Sequence, residues 1–175
     1  MSWDHDQPAV VYLREQITQF FPQVALHWAA MTNVDPKNAH KPRVNENNPQ
    51  HGVGGYNVKL KESGDLSDHS FGRAADIYVK IQNPLLKAIG DSLFAAFIAN
   101  ARQLGIDDVI WNRQIWSLAH PAIRPYPGHK HHEDHIHVSF TVHGSQLRPP
   151  ILVTVLQQVR TAIDAQFPLP SIQIP

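Results

Sequence analysis

DHIHVSFTVH, residues 134–143, alternates without a break: Ile136, Val138, Phe140 and Val142 fall on one parity, His135, His137, Ser139, Thr141 and His143 on the other. Successive side chains of a strand point to opposite faces, so this pattern predicts a half-buried β-strand with its apolar set in the core. His135 and His137 then project together from the opposite face. A rigid strand that aims two imidazoles the same way can present a metal ligand and a neighbour for it. The strand follows a histidine-rich run, HKHHEDHIH (129–137), with five histidines in nine residues. His129 and His131 fall in the preceding loop and carry no such constraint; they are expected at the rim of a cleft.

Two histidines do not make a metal site, and a second segment supplies the missing partners. SDHSFGRAADIYVK (67–80) also alternates in its second half, with Ala75, Ile77 and Val79 on one face and Ala74, Asp76, Tyr78 and Lys80 on the other. Asp76 is therefore a carboxylate on the non-core face of a second strand. His69 lies seven residues earlier, across Gly72, where the backbone can turn. His69, Asp76 and one histidine of the 135/137 pair give three protein ligands and leave a position open. That is the catalytic form of a zinc site; structural zinc closes its fourth position, usually with sulfur.

Sulfur is absent, since the chain has no cysteine. Disulfides, thiolate metal sites and cysteine nucleophiles are excluded with it. The 175 residues are the length of one domain, and a chain of this size buries roughly 70% of its unfolded surface. Lys plus Arg equals Asp plus Glu at 15 each, so no overall field favours nucleic acid or an acidic membrane. The unusual count is 12 histidines. The N-terminus, MSWDHDQPAVVYL, has aspartates where a signal peptide carries cations, and no apolar run is long enough to span a bilayer.

Along the chain, PAVVYLREQITQFF (8–21) has helical spacing with Pro8 in its first turn. Residues 31–57, rich in Asn, Pro and Gly, read as a long loop. NPLLKAIGDSLFAAFIANARQLG (83–105) is the best helix, capped by Asn83, ended by Gly105 and open to a break at Gly90. DDVIWN (107–112) reads as a strand, 117–133 as loop, and PPILVTVLQQVRTAID (149–164) as a last helix before a proline-punctuated tail. The expected fold is α+β: one domain over 1–175, with a small antiparallel sheet carrying the site and helices flanking it.

The paired motifs SxHxxGRAxDI (67–77) and HxxHxHVxF (132–140) resemble the LAS zinc metallopeptidases, most closely the D-alanyl-D-alanine peptidase and murein endopeptidase branch. VIWNRQIWS (109–117) and RPYPG (124–128) add to the likeness, which covers about 50–142; the first 40 and last 30 residues stand outside it as decorations. The resemblance implies the LAS/hedgehog-like fold, with one zinc ion per chain held by His69, Asp76 and His137. It implies His135 as catalytic base, with Asp134 as the alternative, because some relatives use a carboxylate three residues before the last ligand. His132 would orient substrate or support the oxyanion. Arg43, Arg73, Trp116 and Tyr126 are the candidates for substrate binding, with Trp111 beside them in the same groove. The expected activity is hydrolysis of an amide bond in peptidoglycan stem peptides or cross-links, endopeptidase or carboxypeptidase.

Two other classes fit parts of the pattern. A His, Asp, His set also describes the facial triad of non-haem iron oxygenases, although there the first two ligands stand closer together. The hedgehog branch uses the same fold as a non-catalytic zinc-containing binding module. A wall peptidase with no visible export signal is expected to be made in the cytoplasm and to act in the periplasm or cell wall. It would arrive there as a secretion-system effector or a phage-type lysin. It is expected to be a monomer that neither inserts into membranes nor binds nucleic acid, and an immunity protein would accompany it if it is a toxin.

Overall fold

The computed structural model describes residues 5–24, 53–55 and 66–168. Arg43, most of the 31–57 loop and the last residues of the tail lie outside that set. In chain order the elements are α1 (Pro8–Phe20), β1 (Val53–Gly54), a 3-10 turn (Asp68–Phe71), β2 (Ala74–Ile77), α2 (Pro84–Ala99), α3 (Ala101–Leu104), β3 (Ile106–Trp111), β4 (Gln114–Ser117), β5 (His120–Pro125), β6 (Ile136–Phe140), a second 3-10 turn (Gly144–Gln146) and α4 (Ile151–Gln166). The strands form one sheet in the order β1-β2-β6-β3-β4-β5, antiparallel at every pairing. The fold is α+β, with α4 packed against both α1 and α2, and all three helices joining the apolar cluster on one face of the sheet.

The alternation read from the sequence sets that packing. Ala75 and Ile77 of β2, Ile136, Val138 and Phe140 of β6, and Val109 and Trp111 of β3 join one apolar cluster. The cluster also takes in Leu13 and Ile17 of α1, Leu86, Ile89, Leu93 and Phe97 of α2, and Leu152, Leu156 and Val159 of α4. Each buried aliphatic side chain of this kind stabilises by about 1.5–3 kcal/mol. The opposite face holds the other parity, so Asp76 of β2 pairs directly with His137 of β6, and His137 with Ile110 of β3.

Helix α2 begins as expected: the Asn83 side chain accepts from the Leu86 amide at 3.0 Å, and Pro84 takes the first position. Gly90 does not divide it. A Cβ there would lie 2.5 Å from the Trp111 ring, so the glycine admits the indole, whose Nε1 donates to Asp91 Oδ1 at 2.9 Å. The break falls at Asn100, and Gly105, at φ 71°, ends α3.

The expected loop at 117–133 is partly sheet. β3 and β4 form a two-residue hairpin across Asn112 and Arg113, both at positive φ (44° and 66°), as a type I′ turn requires. No glycine marks that turn, so the sequence carries no Asn-Gly or Asp-Gly signal for it. β5 contains Pro121 and Pro125 and is largely exposed; prolines are tolerated there because β5 is an edge strand.

Candidate metal centre

His69, Asp76 and His137 converge. His69 Nε2 lies 3.0 Å from Asp76 Oδ1 and 3.2 Å from His137 Nδ1, and His137 Nδ1 lies 3.0 Å from Asp76 Oδ1. The three atoms form a nearly equilateral triangle. Among the described residues this is the group of ligand-type side chains able to hold a metal ion. His69 and Asp76 are buried, at 3% and 5% exposure, so solvent does not separate them.

Each side chain is fixed by its own local structure. The 3-10 turn carrying His69 is capped by Ser67, whose Oγ accepts from the His69 amide, and is closed by Gly72 at φ 64°. A Cβ on Gly72 would fall 1.9 Å from the His5 carbonyl oxygen, so both backbone conformation and space demand glycine. His69 Nδ1 donates to the Gly55 carbonyl at 2.8 Å. That carbonyl can only accept, so Nδ1 carries a proton and Nε2 is the nitrogen that faces the triangle. Gly55 packs in turn against the buried Asp6–Arg14 ion pair; a Cβ there would meet Asp6 Oδ1 and Arg14 Nη2. The N-terminal segment thus buttresses a ligand, a role the sequence did not suggest for it.

Electrostatics follow from this crowding. Burial would raise the Asp76 carboxyl, but the charges of His69 and His135 and the hydrogen bonds from His137 and His69 outweigh it and hold Asp76 well below its ordinary range. Burial pulls His137 down, while the hydrogen bond and charge of Asp76, then Asp108 and Asp68, outweigh it and raise the imidazole above its ordinary value. Three acceptor-type atoms this close call for positive charge between them, a proton or a metal ion. Tetrahedral zinc with bonds of about 2.0–2.1 Å sets its ligand atoms about 3.3–3.4 Å apart, close to the observed edges. Two imidazoles and one carboxylate, with no sulfur available, suit a borderline divalent ion such as zinc.

His135 stands beside the triangle. Its Nδ1 lies 2.8 Å from Asp134 Oδ1 and its Nε2 3.8 Å from Asp76 Oδ1. Asp134 is 72% exposed and turned to the outer edge of the imidazole, away from the ligands. The hydrogen bond from His135 is the main reason its carboxyl is lowered. His132, at φ 51°, completes the cluster, with ring centres 4.7 Å from His135 and 6.0 Å from His137. Its Nδ1 donates to the Lys130 carbonyl at 2.7 Å, and burial together with the neighbouring His135 and His137 charges lowers it to about 4. His132 is therefore neutral near pH 7 with Nε2 unprotonated. It offers a lone pair, not the N–H that oxyanion support would need.

The hairpin turn holds this loop in place. The Asn112 and Arg113 amides donate to the carbonyls of His132 and His131, both at 2.8 Å, and Arg113 Nε pairs with Glu133 at 2.6 Å. Tyr126, a candidate for substrate binding, packs edge-on against His132 at 4.9 Å. Three other expectations are corrected or redirected. Trp116 is 7% exposed and belongs to the core, as does Trp111 at 1%, because both share the helix-facing parity of the β3–β4 hairpin. Arg73 is spent on an ion pair with Asp68 at 2.7 Å and on the Phe71 ring. His129 and His131 are exposed, consistent with a rim position.

The family model of the VldE C-terminal domain matches residues 37–137, more than half of the chain. The chain belongs to the VldE C-terminal domain family. The matched segment of this VldE-type domain contains all three triangle residues together with His132, Asp134 and His135, whereas α1 and α4 lie outside it. No curated protein and no solved structure matches the chain.

Proposed function

We propose that this protein is a zinc-dependent peptidoglycan peptidase that hydrolyses an amide bond in the stem peptide or cross-link. The observation that carries the reading is the His69–Asp76–His137 triangle with a third, non-ligating imidazole, His135, whose Nε2 lies 3.8 Å from Asp76 Oδ1. A ligand set alone would serve a structural or binding role. A base held next to it is what hydrolysis requires.

Zinc, when bound, would supply Lewis acidity for the scissile carbonyl and lower the pKa of water into the neutral range. The chain's own residues do the rest. Asp134 accepts the His135 Nδ1 proton, which fixes the tautomer and leaves the Nε2 lone pair toward the ligands. His135 Nε2 takes a proton from the attacking water and returns it to the departing amine, so one group serves as base and then acid. Neutral His132 accepts from a donor such as a substrate amide, and Tyr126 lies against its ring at the same edge. Peptidoglycan is supported as substrate by the likeness of the two motifs to murein peptidases. An immunity protein filling the cleft, and delivery by a secretion system or phage lysis, belong to the same proposal.

The test is digestion of purified peptidoglycan by the zinc-loaded protein, with products identified by mass spectrometry and a His135→Ala sample alongside. New muropeptides from the wild type alone support the reading and name the bond. Intact peptidoglycan with a folded, zinc-loaded protein rejects it in favour of a binding module.

A further inference from the structure

Behind the ligands lies a carboxylate that the mechanism above does not use. Asp108 of β3 has a buried Oδ1 with no hydrogen-bond partner, and that oxygen lies 3.9 Å from Nε2 of His137, the nitrogen pointing away from the triangle. Its position is built by the backbone. The β3–β6 register shifts between Ile106 and Asp108, so Ile106 and Val109 both reach the core although three residues apart. A bulge of this kind re-aims side chains. Here it turns Asp108 onto the histidine face, in register with Ser139, whose Oγ accepts from the Asp108 amide at 3.2 Å.

We propose that Asp108 is a positioning residue: it accepts the Nε2 proton of His137 and so keeps the Nδ1 lone pair of that imidazole aimed at Asp76 and His69. The inference rests on the metal-site reading: with the ion on Nδ1 the imidazole proton is on Nε2, facing Asp108, whereas without the ion Nδ1 lies 3.0 Å from Asp76 Oδ1 and holds a proton there. A ligating histidine generally gives its second N–H to a carboxylate or carbonyl. His69 already does so through Gly55, and His137 has Asp108 as its counterpart.

The experiment uses the full chain, with and without Zn2+. Nitrogen–proton correlation spectra of the imidazoles read the His137 tautomer, and chelator competition reads the Zn2+ Kd. We expect the zinc-loaded wild type to carry the His137 proton on Nε2, with the resonance of a proton shared with a carboxylate. Asp108→Ala should shift that resonance upfield and raise the Kd by about 10–100-fold. Asp108→Asn, which keeps an acceptor oxygen but no charge, should fall between the two. An unchanged Nε2 proton resonance and Kd in the alanine variant overturn the proposal, as does a zinc-loaded wild type with its His137 proton on Nδ1. Should the alanine variant not fold, the asparagine variant decides, and a resonance and Kd equal to wild type overturn it. A wild type that binds no Zn2+ overturns the proposal together with the metal-site reading, whereas one that binds Zn2+ and shows the Asp108 effect but leaves peptidoglycan intact removes the peptidase reading and leaves the positioning role standing.

Discussion

Asp76 and His137 are direct partners across the β2–β6 pairing, and Oδ1 of the one lies 3.0 Å from Nδ1 of the other. Sheet register, not a flexible loop, thus sets two of the three candidate ligand positions. If the proposed zinc site holds, replacing either residue, or His69, should lower bound zinc from one per chain toward zero, read by elemental analysis of dialysed protein. Full zinc occupancy in Asp76→Ala would refute the ligand set.

Zinc affinity should rise with pH. His137 is held above 6.5 chiefly because the hydrogen bond and charge of Asp76 overcome the opposing effect of burial. A raised folded value means that its contribution to stability is complete below the unfolded value and is lost as pH rises through the folded one. Asp76 is lowered, so its contribution holds above the ordinary carboxylate value and is lost as pH falls through its depressed one. The contribution of this pair to metal-free stability should therefore shrink from mildly acidic to mildly alkaline pH. Over the same interval zinc binds more tightly, since the ligand must first shed its proton. Melts with and without chelator, and competition titrations at about pH 6 and about pH 8, check both trends. An affinity that ignores pH would argue against His137 as a ligand.

If the proposed peptidase reading holds, His135→Ala should slow muropeptide release by about 10²–10⁴-fold while zinc stoichiometry stays at one, because a general base contributes on that scale. Asp134→Ala should cost less, since Asp134 acts through His135. A larger loss in Asp134→Ala than in His135→Ala would reverse the two roles.

The Asp6–Arg14 pair, with side chains 5% and 13% exposed, sits against the glycine whose carbonyl holds His69. Arg14→Met should destabilise the fold by about 3 kcal/mol, as expected for a buried pair deprived of one charge. It should also weaken zinc binding, because Gly55 loses its support. Urea unfolding and chelator competition measure the two effects separately; normal zinc affinity would show that the buttress does not reach the site.

Gly90→Ala offers a test of the core. Helix propensity alone favours alanine by about 1 kcal/mol. The added methyl would lie 2.5 Å from the Trp111 ring, which the Asp91 hydrogen bond prevents from moving freely. Overpacking of about 1–3 kcal/mol should win, giving net destabilisation in urea. A more stable variant would mean that the indole can shift.

How much of this was legible beforehand differs by residue. The alternation of Ile136, Val138 and Phe140 against His135 and His137 determined the strand, its buried face and the shared direction of the two imidazoles, because a period of two allows no other partition. Asp76 was found by the same rule, and His69 by its spacing across Gly72. Helices α1, α2 and α4 followed from spacing and caps, as Asn83 shows. Tertiary structure decided the rest. The register that sets Asp76 against His137 is a long-range pairing that no local pattern encodes. A bulge that changes the parity of β3 at Asp108 is likewise invisible, since periodicity read along the chain assumes an unbroken ladder. Trp116 could be sent to core or groove by composition alone, and the Asn112–Arg113 turn sent it to the core. Local periodicity fixes which way a side chain points; only the pairing of distant strands fixes what it points at.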